Sequence, residues 1–135
     1  MGFLQPHADK IYALTRILAG LMFMQHGFQK IFGLFGGAPE GAPGFIVWGA
    51  GLIELIGGGL VAAGLFAAPA AFLCSGTMAV AFFMGHVFGP QNPSVSLVPI
   101  VNGGELAALY CWVFFVIAAK GAGIWSVDAT RSKTA

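Results

Sequence analysis

Four apolar stretches, about 11–32, 45–65, 70–88 and 104–120, divide the chain, and short polar runs rich in glycine and proline separate them. At helical rise the first three are long enough to cross a bilayer. The fourth is short for a hydrocarbon core of about 30 Å unless it begins near Asn102. The first connection holds Gly36, Gly37, Pro39, Gly41, Pro43 and Gly44 with one acid, Glu40, a composition that ends a helix. The second, Phe66-Ala67-Ala68-Pro69, is tight and uncharged, and Pro69 suits the first turn of the next helix. The third opens on Gly89-Pro90-Gln91-Asn92-Pro93, contains Pro99, and is expected to dip partly back over the helices. Gly121-Ala122-Gly123 stops the last helix, Ile124 to Asp128 reads as an interfacial anchor around Trp125, and 130–135 as a frayed tail. The pattern predicts an all-α protein, a transmembrane four-helix bundle with short loops, forming one integral membrane domain over 1–135.

Composition supports that pattern. Of 135 residues, 58% are hydrophobic and 8% charged, with a mean hydropathy of +0.86; a soluble domain needs about 25% charge to coat its surface. A formal net charge of +1 without a Lys/Arg patch excludes a nucleic-acid partner, and membrane lipid is the expected environment. With four spans, one side collects Lys10, Arg16, Lys120, Arg131 and Lys133 and the other only Lys30, so both termini are expected in the cytoplasm. The first apolar run is too long for a signal-peptide core, contains His26 and Lys30, and is followed by no clear cleavage site.

Polar residues inside the apolar stretches need a reason, because an unpaired charge at membrane depth costs roughly 2.5 kcal/mol or more. At about 100° per residue, Arg16, Phe23, His26, Gly27 and Lys30 share one side of the first helix. Glu54 shares its face with Ala50, Gly51, Gly57 and Gly58, small residues that let a neighbouring helix approach. His86 lies near the end of the third stretch, and Asn102 and Glu105 open the fourth, where an acid favours the helix dipole. His26, Lys30, His86, Asn102 and Glu105 are thus expected near the outer side, with Glu54 below them close to the bilayer midplane, and the six together form the candidate polar cluster. Two readings stand: bundle glue, in which Glu105 pairs Lys30 and Glu54 is bonded to His26 or protonated, or a small ligand pocket or proton path.

Other chemistry is weaker. Arg16 and Asp128 are expected to pair and latch the tail onto the first helix. No Glu-x-x-His or His-x-x-x-His spacing marks a metal site, so none is assigned. Cys74 and Cys111 form no C-x-x-C pair; they read as interface fillers at different depths. The aromatics Phe82, Phe83, Phe88, Trp112, Phe114 and Phe115 read as lipid-facing or packing groups. No Ser/His/Asp order, phosphate loop, haem-attachment or dinucleotide signature appears, and the catalytic residues, if any, are unknown. Gly58/Ala62, Gly59/Ala63 and Ala81/Gly85 offer small-xxx-small faces for homo-oligomerisation or for packing within one bundle.

Arg16-Ile17-Leu18-Ala19-Gly20, His26-Gly27-Phe28-Gln29-Lys30, Glu54-Leu55-Ile56-Gly57-Gly58-Gly59-Leu60, Ala81-Phe82-Phe83-Met84-Gly85-His86, Asn102-Gly103-Gly104-Glu105 and Gly121 to Asp128 occur in that order. In this the chain resembles the DoxX family of small four-span membrane proteins. The resemblance implies a bacterial or archaeal inner-membrane protein linked to redox chemistry, since the family is named for a subunit of a thiosulfate:quinone oxidoreductase and some members look like membrane partners of oxidative-stress enzymes. The expectation is an oxidoreductase-associated subunit with quinone as the candidate cofactor: His26 and Lys30 bond the ligand oxygen, and Glu54, His86 and Glu105 relay protons. The alternatives are a small solute or proton-coupled transporter and a structural scaffold for soluble redox enzymes.

Overall fold

The computed structural model describes residues 1–38, 41–90 and 92–132, and among these all regular structure is helical. Helix α1 spans Ala8–Phe32, α2 Gly44–Ala63, α3 Ala67–Val87, α4 Pro99–Asn102, α5 Glu105–Lys120 and α6 Val127–Arg131. Glu40 and Lys133 lie outside the described residues. Two helices contain wide π turns, α2 over Ile53–Gly57 and α3 over Ala81–Val87. Such turns are rare and often found at functional sites. Nothing in the residue pattern announces them.

Helix ends differ from the apolar stretches for local reasons. Helix α2 stops at Ala63, two residues early, because Gly64 takes a left-handed conformation at φ +69°. Helix α3 starts three residues early, at Ala67, because the Asp128 carboxylate accepts from the amides of Phe66 and Ala67, both at 3.0 Å. The tail is correspondingly less frayed than its composition predicts: Thr130 and Arg131 belong to α6, whose N-cap Ser126 accepts from the amide of Ala129 at 3.2 Å.

Helix α3 packs broadly on α5 and α1 on α2, while α1 and α5 touch along only a short length. The α1–α2 seam is glycine-lined. A Cβ added at Gly20 would lie 2.5 Å from the Gly58 carbonyl oxygen and 2.6 Å from the Ala62 nitrogen, and one at Gly27 2.5 Å from the Leu55 nitrogen. The small residues around Glu54 divide between two neighbours: Gly51 and Gly58 face α1, and Gly57 lies against the Cys74 sulfur of α3. The Gly58/Ala62 face is therefore used against α1, whereas Gly85 is open. The core is filled by Phe23, Val61, Cys74, Phe114 and Ile117, with the Phe23 ring 4.7 Å from Phe114 and 5.4 Å from Tyr110.

The outer surface is apolar on all four long helices: Leu14, Leu18 and Leu21 on α1, Trp48, Leu52 and Ile56 on α2, Phe72, Leu73 and Val80 on α3, and Leu109, Trp112 and Val116 on α5 are exposed. Phe83, Phe88 and Phe115 are exposed as well, but Phe114 is fully buried. Helices α2 and α3 are long and apolar enough to cross a membrane. At 25 residues α1 has the length but is interrupted by polar groups, and α5 has 16 residues. The cysteines are both free, and they do not lie at different depths as expected. The Ser75 hydroxyl, next to Cys74, donates to the Cys111 carbonyl at 2.9 Å, which sets the two cysteines at nearly one level. The expectation failed because it started the last helix level with the end of α3, whereas Gly104, just before α5, lies against Phe82, short of that end.

Candidate functional site

Lys30, near the end of α1, reaches Glu54 in the π turn of α2, and its Nζ bonds Oε1. The Glu54 side chain is 1% exposed and that of Lys30 18%. The glycine-lined seam makes this contact geometrically available, since Gly51 sits against the Lys30 stem and a Cβ there would lie 3.1 Å from the Lys30 Cβ. Lys30 therefore pairs with Glu54, where the glue reading paired it with Glu105. The second carboxylate oxygen, Oε2, is buried without a hydrogen-bond partner. An acceptor in that state is costly, and among the described residues it is the buried carboxylate oxygen left without a donor.

His26 lies one helical turn before Lys30 and is half-buried. It stands edge-on to Tyr110 of α5 at 6.1 Å and 89°, and Tyr110 stacks in turn on Phe114 at 5.7 Å. No direct bond joins His26 to Glu54: Oε1 is bonded to Lys30, and His26 is turned toward Tyr110. Beside Tyr110, where α1 and α5 separate, an open apolar groove of about 300 Å³ runs between Thr15, Leu18 and Met22 on one wall and Leu106, Leu109 and Val113 on the other. Tyr110 joins this groove to His26, and residue spacing in α5 alone does not reveal it.

The remaining residues form separate groups. His86 Nδ1 meets the Asn102 carbonyl at 3.3 Å. Asn102 is a loop brace: its side-chain amide donates to the Ser96 carbonyl at 3.0 Å, and its Oδ1 accepts from the Gly104 amide at 2.7 Å. Asn92 completes the brace, donating to the carbonyls of His86 and Val87, both at 3.0 Å, and of Ser96 at 3.3 Å. An asparagine flanked by prolines just past a helix end was the available sign of it. Glu105 is exposed in the first turn of α5. Among the described residues no three His, Cys, Asp or Glu side chains gather where one metal ion could sit.

Arg16 and Asp128 hold the tail without bonding each other. Arg16 is fully buried in α1. Its Nη1 donates to the carbonyls of Val61 (2.6 Å) and Ala62 (2.7 Å), and its Nη2 to Trp125 (2.7 Å) and, more distantly, Ile124 (3.5 Å). Asp128 instead caps α3. The cation thus meets the carbonyl end of α2 and the anion the amide end of α3, the placement that both helix dipoles favour. Tyr12 adds a bond to the Gly121 carbonyl at 2.5 Å and supports Lys120, whose Nζ lies 4.3 Å from its ring centre. A half-open cavity of about 560 Å³ lies there, between Asp9, Tyr12, Lys120 and Trp125.

Helices with exposed apolar flanks that bury an arginine and a Lys–Glu pair between them define a small helical membrane protein in contact with lipid. The family model for DoxX matches residues 11–87, and the chain belongs to the DoxX family. It is similar to an uncharacterized protein of Haemophilus influenzae, 38% identical over 133 residues, which is 95% of this chain and 96% of that protein. No solved structure matches.

Proposed function

We propose that this DoxX protein spans the inner membrane four times as a helical bundle, with both termini in the cytoplasm, and binds a quinone or similar lipid-soluble redox ligand as the membrane subunit of an oxidoreductase. The observation that supports this best is the apolar groove between α1 and α5, which Tyr110 connects to His26. A ring bearing two oxygens and an apolar tail matches that sequence of surfaces: tail along Leu18, Met22, Leu109 and Val113, ring against Tyr110 with an oxygen toward His26. His26 supplies a donor or acceptor to a ligand oxygen. The Lys30–Glu54 pair, one turn further along α1, holds a proton-accepting oxygen in reserve behind it. His86 and Asn102 serve the loop in this reading, and Glu105 the start of α5. Electrons come from the partner oxidoreductase.

The test is thermal unfolding of purified protein in lipid nanodiscs with decylubiquinone added. A saturable rise in Tm is expected, lost in His26→Ala and in Leu109→Trp, which fills the groove, and retained in His86→Ala. No rise with the unsubstituted protein sinks the reading. The unpartnered Glu54 Oε2 favours one second reading, a proton-coupled permeation unit. Solute or proton flux into proteoliposomes that disappears in Glu54→Gln would favour it over ligand binding.

A further inference from the structure

The segment between α3 and α5 is the least water-like loop in the molecule. From Val87 to Gly104 it has no charged residue. Leu97, Val98, Ile100 and Val101 are more than half exposed, Ile100 at 75%. Exposure of four large aliphatic side chains on so short a piece is unfavourable in water and ordinary in lipid.

Its depth follows from the register of the helices it joins. The bond from Ser75 to the Cys111 carbonyl ties α3 to α5 at one level. Beyond that level α3 continues to Val87, at most about 18 Å since its π turn rises less per residue, whereas α5 reaches its first residue, Glu105, after about 9 Å. The same offset is visible in contacts. Gly104 packs under the Phe82 ring, where an added Cβ would lie 2.7 Å from the ring edge, so α5 starts well short of the end of α3. The gap above α5 is occupied by α4 and its flanks, with the Asn102 carbonyl against His86.

Chain at that depth must satisfy its own backbone, since lipid offers no hydrogen bonds. Much of this loop does so. Asn92, only 7% exposed, takes three carbonyls. The Val98 amide bonds the Ser96 hydroxyl, the amides of Val101 and Asn102 bond the Val98 carbonyl, and Gly104 bonds both Pro99 and Asn102. Pro90, Pro93 and Pro99 have no amide hydrogen to satisfy.

We infer that the segment from Asn92 to Gly104 is a re-entrant element whose aliphatic side chains, Leu97 to Val101, insert into the hydrocarbon of the outer leaflet and complete the span that α5 is too short to make. The inference rests on the four-span reading. Glu105, exposed in the first turn of α5, is the charge this placement has to carry, and the amide dipole there offsets part of its cost.

The experiment places single nitroxide labels in liposome-reconstituted protein, in a Cys74→Ala/Cys111→Ala background, and compares collision with oxygen and with a water-soluble nickel complex. Leu97→Cys and Ile100→Cys are expected to match Leu109→Cys, on the lipid face of α5, and to show an oxygen preference several-fold above Ala38→Cys in the other outer loop. Nickel-accessible labels at 97 and 100 with a lipid-exposed label at 109 overturn the inference and leave the four-span reading standing. A nickel-accessible label at 109 overturns both. Should the cysteine-free background not fold, Ile100→Cys in the otherwise natural chain gives the same decision. Escape from a membrane-impermeant maleimide that modifies Ala38→Cys supports insertion, and modification at equal rate overturns it.

Discussion

Arg16 shows how much one side chain can organise. Its guanidinium takes the Val61 and Ala62 carbonyls that end α2, of which Val61 also accepts from the Gly64 amide, and those of the Ile124-Trp125 turn. Arg16→Met is therefore expected to lower unfolding stability by about 3 kcal/mol or more, measured by denaturant titration in detergent. Asp128→Ala removes a cap on partly exposed chain and is expected to cost about 1 kcal/mol. The Lys30–Glu54 pair behaves differently. Removing one member leaves a buried charge alone, so Lys30→Met is expected to cost about 3 kcal/mol, while Lys30→Met/Glu54→Leu recovers most of that loss. A double variant as unstable as the single one would show that the pair stabilises the fold beyond cancelling its own burial.

Among elements, the α1–α2 seam is the tightest. Gly20→Ala drives a methyl group into the α2 backbone and is expected to destabilise by about 1–3 kcal/mol, whereas Gly76→Ala, on the open face of α3, is expected to be neutral or to stabilise by up to about 1 kcal/mol. Thermal unfolding of the two variants side by side checks the contrast. The α3–α5 loop depends on Asn92 in the same local way. Asn92→Ala is expected to accelerate amide exchange across 92–104, read by mass spectrometry, and to leave α1 and α2 unchanged, because none of its bonds reaches them. Of the Ala81/Gly85 pair on α3, Gly85 is open while Ala81 packs against the core, so only part of that small-xxx-small face is available for oligomerisation.

Across the whole molecule, polarity is layered. Arg16, Tyr12, Lys120 and Asp128 lie together at the end where α5 finishes and α6 packs, Lys30 lies near the far end of α1 against Glu54 in the middle of α2, and the helix surface between is apolar. The layering supports the four-span arrangement proposed above. It also sets a prediction on topology: in sealed right-side-out vesicles Ala38→Cys is expected to react with an impermeant thiol reagent, while Ser132→Cys reacts only after lysis. Reaction at Ser132→Cys before lysis with Ala38→Cys protected would reverse the orientation, and equal reaction at both before lysis would overturn the four-span arrangement.

Apolar run length and glycine-proline breaks were enough to locate the long helices, since these properties act through neighbouring residues along the chain. The same held for the face of α1 that carries Arg16, His26 and Lys30, which follows from helical periodicity alone. Partner choice was another matter. Lys30 met Glu54 instead of Glu105, Arg16 took carbonyls instead of Asp128, and Tyr110 emerged beside His26, because each depends on how far one helix slides along the next. The depth at which α5 begins decided the level of Cys111 and the place of the α3–α5 loop. Axial offset between helices is set by side-chain interlocking across the seam, as where Gly20 admits Gly58, and only the packed tertiary structure contains that information.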